Sequence, residues 1–189
     1  MDRRVRRTRA ALLSAAVAVV SERGSTDVPV GDLVDAADVS RRVFYQHFHD
    51  KDELLVAAAV DLLARSIADV LDPQGVEAGT APLTSMGAAA GHLAEHHRFY
   101  RALLTGSCAY SAHDAVCELF RSASAAAANA QFGAVGSTET EVADYFTDAT
   151  TTAAVRWLVE AGDDAPDPAA FIERLVRIQA AITAPQPHQ

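Results

Sequence analysis

The stretch DLVDAADVSRRVFYQHF, residues 32–48, decides the fold of this chain. Apolar residues recur at helical spacing in its first half, and Asp38 and Val39 then suit a tight turn. Ser40 follows the turn and is a preferred N-cap residue, which predicts a second short helix over Arg41–Phe48. Two short helices joined by a tight turn are typical of a helix-turn-helix motif.

The flanking residues predict partner helices on both sides of this motif. A helix over Arg9–Arg23 ends at Gly24, and Pro29 suits the first turn of the first helix of the motif. Asp50 caps a fourth helix, and Glu53 completes a pattern similar to a capping box. The motif therefore belongs to a small helical domain.

The second helix of the motif carries side chains that suit DNA. The N-terminal residues of such a helix reach base edges in the major groove, where Arg41 and Arg42 can pair with guanine. Tyr45 and His47 lie further along and can donate to phosphates. Lys51 begins the fourth helix, where the helix dipole disfavours a cation, and a bound phosphate would resolve that conflict.

The positive charge of the chain is confined to its first quarter. The formal net charge is -9, yet residues 1–52 hold nine basic and eight acidic residues, against seven and seventeen in the remainder. An acidic body would be repelled by DNA, so only the N-terminal part is a candidate contact surface. Arg6 and Arg7, in the basic leading arm, are further candidate DNA contacts.

Residues 12–55 closely resemble the DNA-binding domain of the TetR family. The resemblance rests on LLSAA at 12–16, ERG at 22–24, the whole of 32–48, and KDELL at 51–55. Two positions depart from the family pattern. Asp38 stands where the family usually has glycine, although Asp tolerates a left-handed backbone better than most residues. Val28-Pro29 stands where Thr-Thr is usual, and neither of its side chains offers a hydroxyl for the phosphate contact.

The resemblance implies an all-α fold with two domains. A three-helix helix-turn-helix domain would span residues 1–50, and a helical domain for effector binding and dimerisation would span 51–189. It further implies a homodimeric repressor that a small molecule releases from a palindromic, double-stranded DNA operator. The positions that the family uses for DNA are Ser40, Arg41, Arg42, Val43, Tyr45, His47 and Lys51.

The C-terminal part predicts helices over residues 82–105, 111–132, 138–161 and 167–183. The last two carry apolar stripes that suit a dimer interface, with burial inside one monomer as the alternative. The interface candidates are Tyr145, Phe146, Ala149, Ala153, Trp157, Phe171, Leu175 and Ile178. A ligand pocket would lie between the middle helices. Its candidate lining residues are His92, His96, Phe99, Tyr100, Phe120, Phe132 and Tyr145, although for any one of them an ordinary core position is the more common role.

Three competing interpretations of single motifs are weaker. Arg3–Arg9 followed by Ala10–Val20 imitates a secretory signal, but the helix-turn-helix needs this segment as a packing partner. His92-Leu93-Ala94-Glu95-His96 matches a zinc-peptidase pattern without any sign of a third ligand. A helical hairpin that binds no DNA would give the clustered arginines of the motif no purpose.

The remaining expectations follow from composition. Cys108 and Cys117 show neither metal-ligand spacing nor a disulfide framework, which indicates reduced thiols in a cytosol. The N-terminal apolar run is too short to span a bilayer. We expect a cytoplasmic protein without membrane attachment, enzymatic activity, metal or cofactor.

Overall fold

The computed structural model describes residues 3–66, 81–119 and 139–183, which form helices joined by turns and no strands. None of the helices in these ranges combines the length and apolar character that crossing a bilayer requires. The all-α prediction is confirmed. The helices are α1 (Arg3–Arg23), α2 (Val30–Ala36), α3 (Arg41–His47), α4 (Lys51–Ser66), α5 (Ala81–Glu95), α6 (His97–Thr105), α7 (109–119), α8 (Glu139–Glu160) and α9 (Pro168–Thr183).

Helices α1 to α4 pack around a small apolar core, with α1 against both α2 and α4. Leu12, Leu33 and Leu54 are fully buried there. Phe44 and Phe48 are also buried, as their spacing predicts, so one face of α3 is fixed against the domain. The opposite face of α3 is left for solvent or a partner.

The turn residues adopt the conformations that their chemistry predicts. Gly24 ends α1 with a φ of +65°, and its N–H donates to the Val20 carbonyl. Asp38 has a φ of +53°, the left-handed conformation for which the family usually uses glycine. Ser40 caps α3, because its Oγ accepts from the Val43 N–H at 3.3 Å.

The start of α4 carries the predicted reciprocal cap, shifted by one residue at one of its two bonds. Asp50 Oδ1 accepts from the Glu53 N–H at 2.8 Å. The Glu53 carboxylate accepts from the N–H of His49, whereas a standard capping box would return to that of Asp50. The first bond satisfies a backbone donor that the first turn of a helix leaves free, and the second satisfies the N–H just before the cap.

The helix bounds differ from the sequence expectation at three places. Helix α1 begins at Arg3 instead of Arg9, because the intervening residues are helix formers without Gly or Pro. Pro29 is the N-cap of α2, one position before the first turn. The single helix predicted over 82–105 is broken between α5 and α6, where His96 leaves the helical conformation with φ −106° and ψ 26°.

The buried core runs without interruption from the N-terminal helices into the C-terminal part. Helix α6 packs against α1 on one side and against α8 on the other. Phe99 and Leu103 of α6 are buried in the same cluster as Leu12 of α1 and Leu158 of α8. The domain boundary at residues 50 and 51 stays a prediction.

Candidate nucleic-acid interface and ligand pocket

The exposed face of α3 presents side chains that the sequence analysis predicts to contact DNA. Arg41 and Arg42 are exposed at its leading end, and Tyr45 is 60% exposed one turn later. Val43 and His47 are half-buried. The buried phenylalanines on the opposite face hold the helix, so the two guanidinium groups can extend outward without disturbing the core.

The basic start of α1 lies beside the end of α3. The Arg9 guanidinium sits 4.7 Å from the centroid of the Phe48 ring, in a cation–π contact. Arg6 and Arg7 are exposed in the turn of α1 that precedes Arg9. This contact places the first turns of α1 next to the C-terminal end of α3.

Lys51 has a partner that the sequence did not reveal. Its Nζ donates to the carbonyl oxygen of Thr26 at 2.9 Å, and its side chain is half-buried. This bond ties the start of α4 to the loop between α1 and α2. An ammonium has three donors and Thr26 takes one of them, so the expected phosphate contact stays a prediction.

A largely apolar pocket opens between the middle helices. The space enclosed within it is about 40 Å³, and the total reaches about 400 Å³ only when the solvent at its open side is counted. Helices α4, α5, α6, α7 and α8 all contribute to it. The described lining residues are Ala59, Leu93, Tyr100, Leu103, Leu104, Ala112, His113, Val116, Thr151, Ala154, Val155 and Leu158. An apolar lining of this kind, contributed by several helices, is typical of a small-molecule site.

Of the residues predicted to line a pocket, the structure places only Tyr100 there. Phe99 is fully buried in the core that α6 shares with α1, and Tyr145 is 65% exposed. His92 and His96 are also absent from its lining. These four predictions do not hold for this pocket, because residues on one helix face different neighbours. Phe120 and Phe132 lie outside the described residues.

His92 belongs to a buried hydrogen-bond network behind the pocket. Its Nδ1 lies 2.6 Å from Ser66 Oγ, and its Nε2 lies 2.8 Å from the Tyr100 hydroxyl, which also donates to the Ala59 carbonyl at 3.3 Å. Burial lowers the pKa of His92 to about 4, and the neighbouring His96 acts in the same direction. Burial also raises the pKa of Tyr100. Both groups are therefore neutral at neutral pH.

The His-x-x-Glu-His pattern does not assemble a metal site here. The rings of His92 and His96 lie 4.7 Å apart, but both ring nitrogens of His92 already face Ser66 and Tyr100. His97 faces the Ala94 and Asp163 carbonyl oxygens, each at 3.1 Å. Across the described ranges, no group of three or more His, Cys, Asp or Glu side chains is arranged to hold a metal ion.

Comparison with known proteins agrees with this geometry. The sequence profile described as "Bacterial regulatory proteins, tetR family" matches residues 12–58. The "Uncharacterized HTH-type transcriptional regulator YxbF" of Bacillus subtilis (strain 168) is 34% identical over 73 residues. The crystal structure of RolR (NCGL1110) in complex with the ligand resorcinol superposes with a TM-score of 0.62 and 20% identity, covering 100% of this chain and 99% of that one.

Residues 12–58 of the chain form a DNA-binding domain of the TetR family type. The match to YxbF spans 38% of this chain and 18% of the relative, and the family profile covers the helix-turn-helix. The likeness to RolR concerns the fold of the whole chain. The DNA, effector and partner of this protein are therefore argued below from its own residues.

The two helices nominated for a dimer interface divide their apolar residues between core and surface. Trp157 of α8 stacks on Phe171 of α9 at a ring distance of 4.5 Å, so these two side chains pack within the chain. Tyr145, Ala149 and Ile178 are exposed. Phe146, Ala153 and Leu175 are half-buried. For Trp157 and Phe171 the alternative of burial within one monomer holds.

The sequence analysis missed most of the pocket lining. Ala112, His113 and Val116 of α7 share one face of a helix, and Thr151, Ala154, Val155 and Leu158 of α8 share another. Their three- and four-residue spacing was visible, but a stripe at that spacing looks the same whether it faces a core or a cavity. Only the tertiary structure separates those two cases.

Proposed function

We propose that this protein is a ligand-responsive repressor of the TetR family that binds a palindromic DNA operator as a homodimer. The observation that carries the proposal is the exposure of Arg41, Arg42 and Tyr45 on α3, opposite a face that Phe44 and Phe48 bury. Three large side chains held away from the core of a helix-turn-helix have the placement that contact with a major groove and its flanking phosphates requires.

The proposed contacts divide into two classes. Arg41 and Arg42 at the leading end of α3 would read base edges, with guanine O6 and N7 as the favoured acceptors. A second group of residues would contact the sugar-phosphate backbone of the DNA and would carry no sequence information. Its members are Arg6, Arg7, Ser40, Val43, Tyr45, His47 and Lys51. The acidic remainder of the chain would keep the DNA on this side of the molecule.

Dimerisation would give the regulator two recognition helices, one α3 from each copy. Exposed apolar side chains on α8 and α9 support a symmetric contact in which the same patch of both copies meets: Tyr145, Ala149 and Ile178. A palindromic operator then follows, with half-sites about 34–36 Å apart on one face of the duplex.

The pocket is the proposed effector site. It lies between α6, which packs on α1, and α8, which belongs to the proposed interface. A small molecule that binds one relative position of these helices more tightly would shift the dimer between spacings that fit the DNA and spacings that do not. That RolR was crystallised with resorcinol supports a small-molecule effector for a protein of this fold.

Selection of binding sites from random duplexes, followed by titration at several salt concentrations, tests the proposal. We expect an enriched palindrome and an affinity that falls steeply with salt. Replacing Arg41 by alanine should cost about 1–3 kcal/mol and relax preference at particular base pairs, whereas Arg7→Ala should weaken all duplexes alike and reduce the salt slope by about one.

Arg65→Ala is the matched control, because Arg65 is exposed on α4 and forms an ion pair with Asp61 away from α3. This variant removes the same charge and should bind the selected duplex like the parent protein. Equal losses in all three variants, on selected and random DNA alike, would contradict the proposed division of roles. Absence of any enriched sequence would overturn the proposal itself.

A further inference from the structure

The Tyr100 hydroxyl on the pocket wall is engaged with other parts of the protein. The Tyr100 hydroxyl is occupied by His92 Nε2 at 2.8 Å and by the Ala59 carbonyl at 3.3 Å. Tyr100 is itself buried, so its ring contributes carbon atoms to the wall while its oxygen faces the network behind. A ligand in the pocket would meet an aromatic surface there.

The other two polar residues of the described lining meet at Cys117. His113 Nδ1 lies 3.6 Å from Cys117 Sγ, and the Thr151 side chain hydrogen-bonds to the same thiol. Burial raises the pKa of Cys117, which keeps the thiol neutral. The nine remaining described lining residues are Ala, Leu and Val, so the wall they form carries neither an acid nor a lysine or arginine.

A wall of this kind sorts ligands by their hydrogen-bonding groups. Moving apolar surface from water into the pocket lowers the free energy. A hydroxyl or charge that enters the pocket without a hydrogen-bond partner loses its hydration, and no new bond compensates for that loss. The pocket is open on one side, so a polar group at that side can remain in water. Only the part of the ligand that is buried must be free of unpaired donors and acceptors.

We propose that the effector of this regulator is an uncharged molecule with a hydrocarbon body, aromatic or aliphatic, whose polar groups are confined to the open side of the pocket. This inference rests on the proposed function in treating the pocket as the effector site. It commits to a chemical class that the fold does not dictate.

The test uses three benzene derivatives of nearly equal size, titrated calorimetrically into the full chain without DNA. p-Xylene has methyl groups at both ends, p-cresol has one hydroxyl, and hydroquinone has two. Because its hydroxyls are opposite, hydroquinone must place one of them inside. We expect p-xylene and p-cresol to bind with similar affinity, and hydroquinone, kept under argon, to bind about 10- to 100-fold more weakly. Hydroquinone binding as tightly as p-xylene would overturn the proposal.

Two variants locate the binding site. Ala154→Leu fills the pocket and should weaken p-xylene binding at least tenfold, whereas Ala170→Leu, the same change at an exposed position of α9, should leave it unchanged. Thr151→Val keeps the shape of the wall and removes its hydroxyl. If the hydroxyl is engaged as described, this variant should bind p-cresol within twofold of the parent, and a tenfold loss would contradict the inference.

The outcome separates this inference from the proposed function. If p-xylene binds in an Ala154-dependent manner but never alters DNA affinity, the ligand class stands and ligand-controlled repression fails. If DNA binding is specific but none of the three probes binds, the repressor stands and the ligand class is overturned.

Discussion

At the scale of single residues, the backbone angle φ of Asp38 limits which residues the turn of the helix-turn-helix can accept. Its φ of +53° lies in the left-handed region, which costs an ordinary residue about 1 kcal/mol and a β-branched residue more. We expect Asp38→Val to destabilise the protein by about 1–2 kcal/mol and Asp38→Gly to be neutral or stabilising, as measured by urea denaturation. Asp35→Val, at an exposed helical position of α2, should stay within about 0.5 kcal/mol of the parent.

His92 makes the stability of the fold depend on pH. Its pKa is about 4 in the folded protein against an ordinary value of 6.5, so folding favours the neutral ring. The resulting stabilisation is complete above about pH 6.5 and is lost progressively as the pH falls towards 4. A His92→Gln variant should lose less stability over this range than the parent protein.

The control for that experiment is His49→Gln, because His49 is an exposed histidine next to the cap of α4. Urea denaturation at pH 7, 6, 5 and 4 gives the comparison. His49→Gln should retain the steep dependence of the parent. If the His92 variant and the parent run in parallel at every pH, the network described here does not hold a neutral imidazole.

Local sequence rules were sufficient to predict the residues whose roles depend on backbone conformation. Ser40 as a cap, Gly24 as a stop and Asp38 in a turn follow from the chemistry of one residue and its neighbours. Phe99 and Tyr145 could not be placed in this way, because which helix each would face depends on packing between segments distant in the sequence.

At the scale of elements, α6 depends on a close approach at its end. A Cβ on Gly106 would lie 2.1 Å from Thr26 Oγ1 and 2.9 Å from the Ala102 carbonyl oxygen. Thr26 is buried, so it has little room to move. We expect Gly106→Ala to lower the free energy of unfolding by about 1–3 kcal/mol.

A double-mutant cycle with Thr26→Ala tests this explanation, because that change removes the hydroxyl and methyl groups that the new Cβ would meet. The double variant should recover about 1 kcal/mol relative to the sum of the two single losses. Recovery should be partial, since the Ala102 carbonyl remains. Strictly additive losses in the free energy of unfolding would show that Gly106→Ala does not destabilise the protein through a clash with Thr26.

The break between α5 and α6 could not be predicted from the local sequence pattern. The sequence there contains no Gly or Pro, and its residues favour an unbroken helix. The break is accompanied by contacts from distant segments: His97 lies against the Asp163 carbonyl, and Arg101 forms an ion pair with Asp163. Tertiary contacts of this kind override propensity and leave no trace in a local pattern.

At the scale of the whole molecule, the exposed apolar residues of the last two helices predict association. Ile178 is 45% and Tyr145 is 65% exposed. Replacing Ile178 by aspartate should shift a dimer towards monomers in analytical ultracentrifugation, because the change places two unpaired charges in a symmetric contact. Tyr110→Asp is the control, since Tyr110 is 84% exposed on α7. A dimer unaffected by Ile178→Asp would show that another surface holds the two copies together.

The stacked pair of Trp157 and Phe171 gives this protein a built-in optical reporter. Trp157 is the one tryptophan of the chain, and its neighbour Leu158 lines the pocket. Excitation at the red edge of protein absorbance therefore addresses a single indole at the contact between α8 and α9. Any event that separates those helices would change the wavelength and intensity of the tryptophan emission. The conformational change could therefore be followed by stopped-flow fluorescence without an added dye.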